Sequence, residues 1–219
     1  MQRREFSQTA LSVAALAGLT AALPLTAQAQ AKPPIEGIDY LQLDKPASVE
    51  AAADQIEVVE FFWYSCPHCN VFEPQFDAWA KRAAKDVVMR RVPVSFRPDF
   101  EPQQRLYYVL EALGKVDALH KKVFYAIHVE KQALNTAELV AAWAEKQGLN
   151  KAKFSELYNS FPVNMKARKA TQLQDAFKVD GVPALGVAGR YYTSGSLAGT
   201  MERALSVADH LITLTRKSK

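Results

Sequence analysis

The chain has 219 residues, of which 49% are hydrophobic, so it can bury a substantial core. Its formal net charge is +4 at pH 7, and it contains no lysine-rich run and no alternation of aromatic and basic residues. This composition gives weak support for an anionic partner and argues against nucleic acid binding.

The first 29 residues have the pattern of a secretory signal peptide. A charged start with Arg3 and Arg4 precedes an alanine-rich apolar stretch, and Ala27–Ala29 forms a small-x-small cleavage site. The arginine pair followed by Phe6 also fits a twin-arginine signal, with an ordinary Sec signal as the alternative. Either route predicts the periplasm, a compartment where disulfides form and persist.

The next elements lead to the cysteines. Residues 39–43 are predicted to form a first strand and 48–54 a short helix or turn, followed by a nearly continuous apolar strand at 56–64. Such a run is typical of a strand that is covered on both faces. It ends directly before Cys66 and Cys69, the only two cysteines of the chain.

A helical pattern begins at the cysteines, so Cys66 is expected at a helix N-terminus. Unpaired backbone N–H groups and the helix dipole favour a negative charge there, and the thiolate is the reactive form of cysteine. Pro67 suits the first helical position, which needs no N–H. His68 can stabilise the thiolate by charge or by hydrogen bonding, and a stabilised thiolate makes the disulfide a stronger oxidant.

A Cys-x-x-Cys pair can also be a structural disulfide, half of a zinc site or a chance pair in a core. A disulfide across so small a loop contributes little stability. Structural zinc usually needs four Cys or His ligands, and the sequence has no second pair or ligand-spaced histidine cluster. We therefore favour a redox dithiol, in which Cys66 attacks and the deeper Cys69 resolves the mixed disulfide.

The active-site helix continues over 70–86, where Pro74 cannot donate to the carbonyl of Asn70 and predicts a kink. A second strand is predicted at 87–96. Pro93 within it indicates an edge, a bulge or irregular pairing.

A long helical region follows this strand. Its periodicity predicts four helices, at 103–113, 116–130, 136–147 and 151–159. This unit exceeds what a minimal α/β redox domain holds, so it is predicted to be an inserted helical domain. A helix at 163–178 would then return the chain to the α/β part.

The C-terminal part is predicted to begin with a strand at 183–191 and a hairpin turn at Gly189-Arg190. A loop at 195–199 and a final amphipathic helix at 200–215 complete the chain.

Several motifs of this sequence resemble those of the DsbA family of the thioredoxin superfamily. Cys66–Cys69 reads Cys-Pro-His-Cys and follows Glu60-Phe61-Phe62, which is the family's active-site pattern. Gly181–Ala184 resembles the superfamily loop that places a cis-proline, here Pro183, opposite the active-site disulfide. Pro74 matches the position at which such proteins often kink the active-site helix.

The resemblance implies an α/β protein with a thioredoxin-like fold and an inserted all-helical domain. Residues 30–97 and 167–219 are expected to form the thioredoxin-like domain, and 98–166 the helical insertion. The backbone of Val182, next to a cis Pro183, would pair with an extended substrate.

Glu60 matches a buried acid under the family's active site and would accept the proton of Cys69 during resolution, with a raised pKa. The alternative is an edge residue that points to solvent, because glutamate is seldom buried. The resemblance also implies a lysine coupled to this acid. Here the candidates are Arg90 and Arg91, which leaves the proton relay open.

The implied function is a thiol:disulfide oxidoreductase that introduces disulfides into reduced exported proteins and is re-oxidised by a DsbB-type membrane oxidase. The alternatives are a disulfide reductase or isomerase, or a non-catalytic peptide-binding chaperone module. An isomerase usually carries an N-terminal dimerisation domain, for which there is no room before Asp39. We expect a monomer with no cofactor, no metal and no nucleic acid partner.

Overall fold

A computed structural model describes residues 32–218, so the predicted signal peptide lies outside the described residues. Its centre is a five-stranded mixed sheet in the order β1-β5-β4-β2-β3. The strands are β1 (Leu41–Gln42), β2 (Ile56–Phe62), β3 (Val87–Pro93), β4 (Ala184–Val187) and β5 (Tyr191–Ser194). Strands β2 and β3 are parallel, and the other neighbours are antiparallel.

The helices agree with the predicted ones to within a few residues at most ends. They are α1 (Pro67–Arg82), α2 (Glu101–Ala112), α3 (Val116–His128), α4 (Ala137–Lys146), α5 (Lys151–Tyr158), α6 (Phe161–Ala176), α7 (Gly195–Ala198) and α8 (Met201–Lys217), with a 3₁₀ helix at Pro98–Phe100. Among residues 32–218, no helix is both long and apolar enough to cross a bilayer.

Strand β2 is buried along its whole length, as its apolar sequence predicts. Successive side chains point to opposite faces of a sheet, so Val58 and Val59 belong to two different hydrophobic cores. The core around Val58 is shared with α1 and α8. The core around Val59 extends into α2–α6. Helices on both faces therefore hold β2, and the chain that leaves it, in a fixed position.

Pro93 is the last residue of β3, which is an edge strand of the sheet. Proline cannot donate to a strand ladder, so an edge position is where it is tolerated. The prediction from Pro93 is therefore confirmed, although the strand ends three residues earlier than expected.

Two local predictions are wrong. Strand 183–191 is two strands, because Ala188 and Gly189 both have positive φ and form a two-residue hairpin turn in which the Arg190 N–H donates to the Val187 carbonyl. Segment 195–199 is not a loop throughout, because Ser194 caps the short helix α7. For segment 48–54 the sequence left a short helix or a turn open, and the structure has a turn at Ala53 and Asp54.

Candidate active site

Cys66 is the N-cap residue of α1, and Pro67 is the first residue of the helix. Its Sγ atom accepts a hydrogen bond from the backbone N–H of Cys69 at 3.4 Å, which is the role that a serine or aspartate oxygen fills in an ordinary N-cap. The sulfur therefore lies at the positive end of the helix dipole, as the sequence predicts.

The pKa values of the two thiols are shifted in opposite directions. The pKa of Cys66 is lowered to about 6, chiefly by a hydrogen bond from the Cys69 thiol. Burial opposes this shift. The backbone N–H groups of Cys69 and His68 and the charge of His68 lower the pKa further. Burial raises the pKa of Cys69 well above its usual range, and its hydrogen bond to Cys66 adds to this. Cys66 is 8% exposed and Cys69 is fully buried. At neutral pH the reduced pair thus carries one reactive thiolate, on Cys66.

Two helices that the sequence did not connect to the site hold the loop before Cys66. The buried Gln103 of α2 accepts from the Ser65 N–H at 3.1 Å and donates to the Ser65 hydroxyl at 2.6 Å. His128, at the end of α3, donates from Nε2 to the Tyr64 carbonyl at 2.8 Å. A polar residue at a buried helix position was the only available signal for Gln103.

The Val182–Pro183 peptide bond is cis, as the resemblance implies. The Cys66 Sγ lies 3.4 Å from the Val182 carbonyl oxygen. A cavity of about 380 Å³ adjoins this contact, lined by His68 of α1, the loop before β4, and the segment from β5 to α8. The cavity gives a peptide chain room beside the reactive sulfur.

Glu60 is 1% exposed on β2, an interior strand between β4 and β3, so the interpretation of an edge residue facing solvent is wrong. Its Oε2 lies 3.2 Å from the Arg91 Nε, because Glu60 and Arg91 are direct partners in the register of β2 and β3. Burial raises the pKa of Glu60 well above its usual value, the charge of Glu73 adds to this, and Arg91 opposes both. The charge of Glu60 in turn contributes to the raised pKa of Cys69.

Arg91 binds two further carboxylates. Its Nη2 donates to Glu73 at 2.8 Å and to Asp77 at 2.5 Å, both on α1. Arg90, the next residue on β3, faces elsewhere and pairs with Glu50 and Glu57. Of the two candidate arginines, Arg91 is therefore the one that contacts the acid under the active site.

A histidine extends this network. His120 of α3 is buried, with its Nε2 3.3 Å from Glu73 Oε2 and its Nδ1 2.8 Å from the Tyr64 hydroxyl. Burial lowers the pKa of His120, although Glu73 acts in the opposite direction. With Nε2 facing a carboxylate, the neutral ring accepts from the Tyr64 O–H at Nδ1. The sequence analysis missed Glu73 and His120; Glu73 lies four residues after Cys69, on the same side of α1.

The arrangement fits thiol–disulfide exchange. An accessible low-pKa thiol can attack or be attacked, and a buried high-pKa thiol one turn later can displace it. The buried carboxyl group of Glu60 has a raised pKa, and it lies close enough for its charge to contribute to the raised pKa of the second thiol, Cys69. Within residues 32–218, no group of three or more His, Cys, Asp or Glu side chains is placed to hold a metal ion.

Comparisons with known proteins point to one family. Residues 91–205 match the family described as DSBA-like thioredoxin domain. The chain is 43% identical to the thiol:disulfide interchange protein DsbA of Bordetella parapertussis, over 99% of this chain and 100% of the relative. It is 38% identical to the protein of the same name from Burkholderia cepacia, over 92% of this chain and 94% of the relative.

Solved structures agree in fold. The crystal structure of DsbA from Pseudomonas aeruginosa superposes with a TM-score of 0.80 at 37% identity, covering 84% of this chain and 96% of that one. The oxidoreductase DsbA from Xylella fastidiosa gives a TM-score of 0.79 at 29% identity, covering 84% and 98%. The predicted thioredoxin-like fold is thereby confirmed.

Proposed function

The chain belongs to the DsbA-like thioredoxin family and is a thiol:disulfide oxidoreductase that introduces disulfides, and we propose that Cys66 is its attacking thiol and Cys69 its resolving thiol. The observation that carries this assignment is the difference between the pKa values of the Cys66 and Cys69 thiols. The pKa of Cys66 is lowered to about 6 at the start of α1, and that of the buried Cys69 is raised.

In the proposed reaction, a substrate thiolate attacks Cys66 Sγ of the oxidised pair, and the Cys66–Cys69 bond breaks. Cys69 leaves as a thiolate and takes up a proton, for which the neighbouring Glu60 is the proposed donor. A second substrate thiolate then attacks the substrate sulfur of the mixed disulfide. Cys66 leaves as a stabilised thiolate, so the substrate is oxidised by two electrons and the enzyme is reduced.

Glu60 acts as an acid in this direction and as a base when the enzyme is re-oxidised. Its raised pKa keeps the carboxyl group protonated to higher pH, so the group can donate a proton in one direction and take it back in the other. Pro67 and His68 are proposed to support the Cys66 thiolate. The backbone of Val182, beside Pro183, is proposed to pair with the substrate chain.

The assignment of the two thiols can be tested by trapping. A Cys69→Ala variant should accumulate a mixed disulfide with a reduced unfolded protein and a glutathione disulfide donor, and a Cys66→Ala variant should not. Equal trapping by the two variants would contradict the assignment. A Cys66→Ser protein that still assisted the refolding of reduced substrates at the full rate would instead favour the chaperone alternative.

The domain division is a proposal of the same kind. Helices α2–α5 lie between β3 and α6 in the chain, which supports an insertion at 98–166 within a thioredoxin-like domain of 30–97 and 167–219. The boundary at 166/167 falls inside α6, so the chain would return to the thioredoxin-like part along one continuous helix.

The physiological setting is also proposed. Residues 1–29 are proposed to export the chain to the periplasm, where reduced exported proteins are its substrates and a DsbB-type membrane oxidase returns it to the disulfide form. Mass spectrometry of the periplasmic fraction should find a chain that begins at Gln30, and Arg3→Lys with Arg4→Lys should block export only if the route is twin-arginine. A purified oxidase of this type with quinone should re-oxidise the reduced protein in many turnovers.

A further inference from the structure

The lining of the cavity beside Cys66 includes several polar side chains. Its walls come from α1, the loop before β4, the start of α7 and the start of α8, and they include the side chains of His68, Asp180, Ser194, Ser196 and Thr200. Because this cavity adjoins the cis-proline loop and the Cys66 Sγ, a substrate chain that reacts at Cys66 passes its walls.

Asp180 is the one acidic residue in this lining, and the lining contains no lysine or arginine. The nearest lysine along the chain, Lys178, pairs with Asp44 at 2.7 Å. The N-terminus of α8 contributes a partial positive charge, but Glu202 stands in its first turn and complements it. Asp180 is therefore the one negatively charged side chain that a bound peptide meets in this lining, and His68, on the α1 side, is the one that can carry a positive charge.

Asp180 is held in place while its carboxylate stays exposed. Its Oδ1 accepts from the Tyr192 hydroxyl at 3.2 Å. It lies two residues before Val182, so the Cα atoms of the two residues are at most about 7 Å apart. A substrate residue two or three positions from the reacting cysteine can therefore reach this carboxylate when the cysteine is at Cys66.

We propose that Asp180 gives this enzyme a preference for substrate cysteines that have a lysine or arginine two or three residues away. The inference rests on the proposed function, in which a substrate thiolate attacks Cys66 and the substrate chain pairs with the backbone of Val182. It adds a residue that determines which substrates are preferred. The exchange itself is unchanged: the peptide dithiol loses two electrons, and the Cys66–Cys69 disulfide gains them. Asp180 acts on the binding of the peptide and takes no part in bond making.

The test uses the oxidised enzyme and a set of short dithiol peptides without tryptophan. The peptides differ only in having Lys, Ser or Glu at the second and third positions on either side of the first cysteine. The rate constant kcat/KM is measured for wild type, for Asp180→Asn and for Asp175→Asn, which removes one exposed carboxylate outside the cavity lining. Comparing variants on the same peptide cancels the effect of each lysine on the peptide's own thiol pKa.

For wild type we expect the Lys peptides to react about two- to fivefold faster than the Ser peptides, the range of one exposed ion pair, and the Glu peptides to react more slowly. The preference should shrink at high salt, because salt screens exposed charges. Asp180→Asn should lose the preference, and Asp175→Asn, outside the lining, should keep it and oxidise the Ser peptides at the wild-type rate.

An equal Lys-to-Ser ratio in wild type and Asp180→Asn would overturn the proposal while leaving the oxidase function intact. If wild type oxidised none of the peptides, the proposed role of Cys66 would fail instead. The two failures are distinguishable, because the Ser peptides report activity without any charge on the neighbouring residues.

Discussion

The Arg91 Nε atom lies 3.2 Å from the Glu60 Oε2 atom, and the charge of this same Glu60 contributes to the raised pKa of the buried Cys69. The same guanidinium contacts Glu73 and Asp77, so one largely buried cation faces three carboxylates. Lys121 also pairs with Asp77 at the outer end of the network. The deepest of the three acids, Glu60, has the environment that most disfavours its charge, which is why its pKa rises.

Replacing Glu60 with Gln should stabilise the protein at high pH. A raised carboxyl pKa contributes stability that is present below the unfolded value, about 4.3, and is lost as the pH rises through the folded pKa. Glu60→Gln removes that loss, so its free energy of unfolding relative to wild type should rise as the pH rises, by on the order of 1 kcal/mol for each unit by which burial raises the pKa. Urea unfolding across this pH range measures it.

The control for this prediction is Glu50→Gln, which removes a largely exposed carboxylate that pairs with Arg90. Its change in the free energy of unfolding over the same pH range is the reference for Glu60→Gln. A Glu60→Gln protein whose stability paralleled that of wild type at every pH would show that burial does not raise the pKa of Glu60.

Removing Arg91 should cost stability and impair the resolving step. Arg91→Leu leaves Glu60 and Glu73 buried without their cation, which typically costs about 3–5 kcal/mol. Arg90→Leu is the matched control, because Arg90 has the same burial and pairs with the buried Glu57 instead.

Both variants should be destabilised, but only Arg91→Leu should slow the release of a mixed disulfide by Cys69 in stopped-flow measurements. If Arg91→Leu does not fold, Arg91→Lys should show the same slowing in weaker form. Equal release rates for the Arg90 and Arg91 variants would remove Arg91 from the proposed relay.

His120 should make the protein less stable in mild acid. Burial lowers its pKa, so the stability that it contributes is complete above the unfolded value of about 6.5 and is lost as the pH falls below it. His120→Gln, which can still accept from the Tyr64 hydroxyl, should therefore unfold with a weaker pH dependence between pH 7.5 and about 5. His210→Gln, which replaces a half-buried histidine on α8, is the comparison measured under the same conditions.

The low pKa of Cys66 should depend on Cys69. Alkylation of the reduced protein by iodoacetamide should follow a thiolate with a pKa of about 6 and should label Cys66 only. In Cys69→Ala the chief hydrogen bond to the thiolate is lost, so the midpoint should move to higher pH. Cys69→Ser keeps a donor at that position and should stay close to wild type, and identical midpoints for the Ala and Ser variants would contradict this cause.

Much of the fold follows from local patterns in the sequence. The apolar run before Cys66 predicts a central strand, and the periodicity after Pro98 predicts the helices to within a few residues. These predictions need only local sequence, because the spacing of apolar residues within each strand or helix shows which of its faces is buried. The turn at Ala188 was misplaced by one residue because alanine rarely adopts positive φ, so Gly189-Arg190 was the more natural choice.

The polar network under Cys69 could not be predicted in the same way. Arg90 and Arg91 are adjacent on β3, and only the pairing register with β2 decides which one meets Glu60. Gln103 and His120 reach the site from helices far along the chain, through tertiary packing that periodicity does not encode. A polar residue at a buried position of an amphipathic helix indicates that the side chain is buried. It does not indicate which residues the side chain contacts.

The central claim is that the Cys66 thiolate is stabilised enough to make the disulfide an oxidant. The most direct test is the equilibrium of the Cys66–Cys69 pair in glutathione buffers. The fluorescence of Trp63, whose carbonyl accepts from the Cys66 N–H and whose ring stacks on Phe100, provides the readout.

Reference potentials in the superfamily run from roughly −270 mV for thioredoxin to roughly −120 mV for DsbA. We predict a midpoint at the oxidising end of this range, consistent with a disulfide donor. A midpoint near that of thioredoxin would contradict the account, since the thiolate would then gain too little stabilisation for the protein to oxidise its substrates.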